Sequence, residues 1–154
     1  MKYLVINGGK RTGKDVLANC LSLRDGFVYV EPFTTNEEHS RIWNTPYIHA
    51  DRMRVLMGES APIVSAYVGE DIYVYFEDMM TEDAWNILIL NDEYLQQLQE
   101  NCKGDTIVTV HIKKPCTCTD EICECECDGY DVVIDYSAFI SDNAQAIEEF
   151  LKNI

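Results

Sequence analysis

The chain has 154 residues, of which 47% are hydrophobic and 25% charged, and its formal net charge is −15. These values describe one folded domain with a core of its own. They argue against a nucleic-acid partner, because phosphate backbones are held by clustered Lys and Arg. They also argue against a membrane span, because no run of about 18 apolar residues is present.

The charge is unevenly spread. Residues 1–54 hold eight Lys/Arg and six Asp/Glu, a net of +2, whereas residues 55–154 hold four and twenty-one, a net of −17. Every arginine (Arg11, Arg24, Arg41, Arg52, Arg54) lies in the first part. A polyanion site must therefore be built from the N-terminal third, and the acidic remainder reads as a solvated face. The apolar part of Met1–Asn7 is too short for a signal peptide and lacks a cleavage site, so a cytoplasmic protein with reduced cysteines is expected.

In chain order, Lys2–Ile6 reads as a strand and Gly13–Leu23 as a helix with Val16, Leu17, Cys20 and Leu21 on one face. Gly26 stops it, and Phe27–Val30 reads as a second strand. This is a β-loop-α-β unit. Asn36–Trp43 and Ala50–Met57 read as helices in a region broken by Pro46 and Pro62, and Ile72–Phe76 as a strand or a buried helix segment. Trp85–Leu90 is a buried strand, and Tyr94, Leu95, Leu98 and Cys102 form a helical stripe. Thr106–Lys113 and Tyr130–Asp135 are strands. The final helix spans Asp142–Ile154, capped by Ser141 or Asp142, with Ala144, Ile147, Phe150, Leu151 and Ile154 toward the core. Alternating strands and helices predict an α/β fold, a parallel sheet with helices on both faces. Residues 1–154 form a single domain in this reading, with a Cys-rich insertion at 116–127.

The first strand runs into Gly8-Gly9-Lys10-Arg11-Thr12-Gly13-Lys14-Asp15, where Gly8, four residues and Gly13-Lys14 have the spacing of a phosphate-binding loop. Glycines let the backbone curl around an anion and turn its amides inward. Lys14 adds a mobile cation, and the helix that follows offers its N-terminus. The bland alternative is a glycine turn between strand and helix. Asp15 stands where Ser or Thr usually ligates magnesium, and a carboxylate supplies the same hard oxygen. Asp92, after the strand at Trp85–Leu90, is the candidate second magnesium-orienting carboxylate; a helix cap at Asn91 or Asp92 explains it equally. Asp51 and Asp135 are weaker candidates on the same logic.

Cys116-Thr117-Cys118 and Cys123-Glu124-Cys125-Glu126-Cys127 bracket a short turn. Four thiolates on zinc is one reading. The Cys-x-Cys spacing and the Cys/Glu alternation fit a half-buried strand as the other. Cys20 and Cys102 fit helix core positions. His39, His49 and His111 are isolated in sequence and read as structural or exposed.

The Gly8–Asp15 loop closely resembles that of virus-encoded deoxynucleoside monophosphate kinases, where Lys-Arg precedes a small hydroxyl residue and then Gly-Lys-Asp. Animal phosphomevalonate kinases are similar at this loop. The order of later elements is similar to that family's too, down to a strand closing on Pro115. The family's Asp-x-Arg-Phe has no arginine counterpart after Asp92, and no arginine follows Arg54.

The resemblance implies ATP and Mg²⁺ as cofactors and a nucleotide as substrate. Gly8, Gly9, Lys10, Arg11, Thr12, Gly13, Lys14 and Asp15 would bind the donor. Lys14, Asp15 and Arg11 would act in transfer. Arg41, Arg52 and Arg54 are the only other candidate anion clamps, and no motif places them; Arg52 and Arg54 read first as the solvated face of a helix. The expected activity is ATP-dependent phosphoryl transfer to a small monophosphate, a deoxynucleoside monophosphate first, in the cytoplasm (the host's, for a viral chain). The alternative is an inactive phosphate-loop module that meets a protein partner through its acidic surface.

Overall fold

The computed structural model describes residues 1–113, 129–135 and 138–154. The first strand, β1 (Lys2–Gly8), is the axis of the molecule. Its residues Tyr3, Leu4, Val5 and Ile6 have no solvent exposure, as a near-continuous apolar run requires when both faces are covered. It pairs in parallel with β6 (Trp85–Ile89) on one side and β7 (Thr106–Lys113) on the other. β2 (Phe27–Tyr29) extends the sheet beyond β6, and β8 (Val132–Asp135) beyond β7. The strand order is β2-β6-β1-β7-β8.

Parallel strands need crossovers, and the crossovers place helices on the two faces. On one face α1 (Lys14–Ser22) and α5 (Ile140–Lys152) bury Leu17, Leu21, Ala144 and Ile147 against Leu4, Ile6, Val110 and Ile112. Arg24 ties the end of α1 to α5, its guanidinium donating to Gln145 at 3.0 Å and Glu148 at 2.5 Å. On the other face α4 (Asp92–Asn101) sets Leu95 and Leu98 against Tyr3, Val5 and Leu88.

A second sheet, which the sequence reading did not contain, shares that other face. Its order is β3 (Phe33–Thr34), β5 (Asp71–Tyr75), β4 (Val64–Val68), all antiparallel. Ile63, Val64 and Tyr75 join it to the α4 side of the core. Val68 opposite Asp71 leaves a two-residue turn, Gly69-Glu70, with Gly69 at φ 61°. α2 (Glu37–Trp43) and α3 (Ala50–Glu59) accompany this sheet, and Met53 of α3 is buried with Val74 and Phe76. The segment expected at Ile72–Phe76 is thus strand, not buried helix, with bounds Asp71–Tyr75. Among the described residues no helix is long and apolar enough to cross a membrane.

Several expectations need correction. Val16 is 58% exposed, because α1 buries Leu17, Ala18 and Leu21 and so rolls Val16 outward. α5 begins at Ile140, two residues early, after Phe139, with no side-chain cap from Ser141 or Asp142. Asp142 instead contributes favourable charge to the first turn. Phe150 and Ile154 are 38% and 66% exposed, since the buried stripe is Ala144, Ile147 and Leu151 and the helix ends at Lys152. Cys102 follows α4 rather than lying in it, buried, with its thiol donating to the Tyr3 hydroxyl at 3.8 Å. Cys20 packs against the core as expected. The Cys116–Cys127 readings lie outside the described residues.

The buried axis predicts where stability resides. Leu4→Ala should cost about 2–5 kcal/mol by urea unfolding, as deletions in closed cores do. Leu23→Ala, at an 87% exposed position, should stay within about 0.5 kcal/mol.

Candidate functional site

β1 ends at Gly8 beside β7, in register with Ile112. A Cβ on Gly8 would lie 2.8 Å from Thr12 Oγ1 and 3.2 Å from Ile112 Cβ, so the strand can end here only as glycine without something shifting. The chain then turns through Gly9–Thr12. Arg11 sits at φ 61° and Gly13 at φ 83°, two left-handed residues that reverse the chain into α1. Thr12 is buried and its hydroxyl donates to the Gly9 carbonyl at 2.8 Å. The Lys14 ammonium folds back across the loop and donates to the Gly8 carbonyl at 2.9 Å. Gly13 accepts from Leu17 N as the N-cap of α1 and offers no side chain of its own to the helix start. The first-turn amides therefore stay available to a ligand. Lys10, Arg11 and Asp15 are exposed on the loop's rim.

The floor of the loop holds a polar network that joins β1, α4 and β7 with Tyr130, which precedes β8. Asn7, one residue before Gly8, donates from Nδ2 to Asp92 Oδ1 at 2.9 Å. Its Oδ1 lies 3.1 Å from His111 Nδ1. An amide oxygen only accepts, so Nδ1 carries the proton and neutral His111 is the Nδ1–H tautomer. Tyr130 stacks on the His111 ring at 4.5 Å and donates its hydroxyl to Asp92 Oδ1 at 2.8 Å. Asn91, not Asp92, caps α4 by accepting from Tyr94 N, which leaves the Asp92 carboxylate for this network. Burial pushes the His111 pKa below its usual value, and the charge of Asp92 acts the other way. His111 is therefore not isolated in space, as its sequence context suggested.

On the other side of the loop a cleft of ≈ 700 Å³ opens between α1, the end of β2, α2 and β5. Its walls are aromatic: Tyr29, His39, Trp43, Tyr73 and Tyr75. His39 meets Tyr73 edge-on at 5.3 Å, so it too has a place in the site. Lys10, Asp15 and Glu31 supply the charges. The Tyr29 hydroxyl donates to Asp15 Oδ1 at 3.2 Å. Burial, then the charge of Asp15, pushes the Glu31 carboxyl above the usual carboxylate range, with His39 acting in the opposite sense.

The other sequence candidates stand apart. Arg41 lines a neighbouring depression with Glu37, Glu38, Ser40 and Tyr47. Arg52 and Arg54 are exposed on α3, with Arg54 3.6 Å from Asp51, which places that carboxylate outside the cleft. His49 caps α3, accepting from Asp51 N at 3.2 Å. Asp135 is exposed at the end of β8. The sequence reading missed Asn7, Tyr29 and Glu31. Asn7 lies one residue before the end of β1 and Glu31 two residues after β2, near the edge where open α/β sheets place their ligand groups.

No protein-family model matches the chain, and no curated protein matches it. Its structure is similar to that of the guanylate kinase from Anaplasma phagocytophilum, with a TM-score of 0.68, 16% sequence identity, and coverage of 99% of this chain and 85% of that one. The chain thus has the α/β fold expected of it, a mostly parallel sheet flanked by helices and similar to a phosphate-loop kinase.

The His111 network makes the molecule pH-sensitive in a defined direction. Because its folded pKa lies below the unfolded value of 6.5, its contribution to stability is complete above 6.5 and lost as pH falls through the folded value. An asparagine keeps a donor for Asn7 without titrating. Urea midpoints of the unaltered chain should fall more steeply below pH 6.5 than those of His111→Asn, and the His111 proton titration by NMR should report a pKa below 6.5.

Proposed function

We propose that this protein transfers the γ-phosphoryl group of ATP to a small nucleobase-bearing acceptor held in the aromatic cleft. The observation that carries the reading is the loop: a strand end with no room for a side chain, left-handed turns at Arg11 and Gly13, and a lysine folded back across the loop onto the Gly8 carbonyl. The resemblance of Gly8–Asp15 favours a deoxynucleoside monophosphate as acceptor, and the similar fold of a guanylate kinase supports nucleotide phosphotransfer in general.

In this reading the Gly8–Gly13 backbone cradles the phosphates and Lys14 leaves the Gly8 carbonyl for the β- and γ-phosphates. Thr12 holds the loop's shape through Gly9. Asp15 and Asp92 are the carboxylates that would hold magnesium, which typically takes one or two carboxylates with substrate phosphates and water. When bound, the ion neutralises charge that develops in transfer. Arg11, exposed at the turn, is the loop's only arginine for that task. Asn7 and Tyr130 fix Asp92 by its Oδ1, leaving Oδ2 for the site. The aromatic walls suit a planar base, since stacking on aromatic faces is sequence-tolerant and strong.

The absence of arginine among the described residues of the cleft lining favours a second reading, a nucleotide-binding module without turnover that meets a partner through its acidic surface. Coupled assays with ATP and a panel of nucleosides and nucleoside monophosphates separate the two. Turnover with any acceptor supports the enzyme, and tight ATP binding without transfer supports the module. Lys14→Ala should weaken ATP binding by about tenfold or more, since charge-assisted bonds to phosphate contribute roughly 1.5–3 kcal/mol, and should abolish turnover.

A further inference from the structure

The reacting end of the cleft is acidic. Asp15, beside the phosphate loop's lysine, and Glu31, just past β2, both line it, and Lys10 is the only lysine or arginine among the described residues of the lining. Arg41 lies on the same helix as His39 and Trp43 yet lines the neighbouring depression. The two carboxylates are not equivalent. Asp15 accepts from the Tyr29 hydroxyl, whereas Glu31 has no hydrogen-bond or ion-pair partner among the described residues.

A monophosphate acceptor would bring about two negative charges into this end, beside the donor's own phosphates and against two carboxylates. Sites that accept such groups surround them with cations. A hydroxyl carries no charge into the cleft, but it is a poor nucleophile until a base takes its proton, a task that a carboxylate performs in protein kinases.

We propose that the acceptor delivered to this cleft is a neutral nucleoside rather than its monophosphate, and that Glu31 is the catalytic base for its 5′-hydroxyl. This rests on the kinase reading above and replaces the monophosphate acceptor that the loop's resemblance favours. The hydroxyl oxygen forms a bond to the γ-phosphorus of ATP. The bond from that phosphorus to the β–γ bridging oxygen breaks, with its electron pair leaving on ADP. The hydroxyl proton passes to the Glu31 carboxylate and from there to water. Tyr29, Tyr73, Tyr75 and Trp43 flank the base with neutral aromatic surface. Partial burial of Glu31 strengthens it as a base, in keeping with the direction of its pKa.

The test is transfer of label from γ-³²P-ATP with Mg²⁺ to the four common deoxynucleosides and, separately, to their 5′-monophosphates. At least one nucleoside should be converted to its monophosphate with kcat/KM about tenfold or more above that monophosphate's own, the repulsion of a second charge being comparable to one pK unit. Glu31→Gln should lower kcat by about 10²–10⁴ while leaving the nucleoside KM nearly unchanged. Transfer to monophosphates alone overturns the proposal and leaves the kinase reading standing. So does a folded Glu31→Gln protein that phosphorylates the nucleoside undiminished. ATP binding with no transfer to either panel, or no ATP binding, overturns the proposal together with the kinase reading. Should Glu31→Gln not fold, the acceptor preference of the unaltered chain decides alone.

Discussion

Steric room at a single backbone position governs how the site is built. Where β1 ends, Ile112 of the neighbouring strand and the Thr12 side chain fill the space that a Cβ on Gly8 would need. A chain confined in this way leaves the sheet as bare backbone, and the loop that follows can present amides and one ammonium to an anion. The confinement itself comes from the sheet. β1 is flanked by parallel partners on both sides as far as Ile6, and β7 alone continues beside it to Gly8, so its end is fixed by that ladder and by cores on both faces.

The two faces then take different tasks. The α1/α5 face is apolar packing, clamped by Arg24 to Glu148, and it holds the loop's helix rigidly against the sheet. The α4 face is shared with the small antiparallel sheet, and the gap between that sheet and the loop is the aromatic cleft. The loop and the cleft both lie at the carboxyl ends of β1, β2 and β6, the usual place for ligands in an open α/β sheet. The polar network of Asn7, Asp92, His111 and Tyr130 lies under the same edge, tying the loop's entry to the start of α4.

Local pattern made much of this legible. Thr106–Lys113 has the bounds its composition indicates, and the loop's glycine spacing marks the turn that the structure contains. The β4–β5 hairpin carried a readable sign as well, Gly69-Glu70 between Tyr67-Val68 and Asp71-Ile72, but its strands are only five residues each. The cleft was not legible, since Tyr29, Trp43 and Tyr73 lie far apart in sequence and meet only when the second sheet packs. Register hid the floor network in the same way. Asn7 faces His111 only because β1 and β7 align Lys2 with Thr106, and nothing local reports that alignment. Val16 shows the converse error, an apolar residue at helical spacing that the true packing face leaves in solvent.

The measurement that bears most directly on the phosphate loop is an ATP·Mg²⁺ titration followed by backbone amide NMR. Saturable one-to-one binding with the largest shifts at the Gly9, Thr12, Gly13 and Lys14 amides is the predicted result. Unmoved amides in that loop at millimolar nucleotide, in a folded chain, would contradict it.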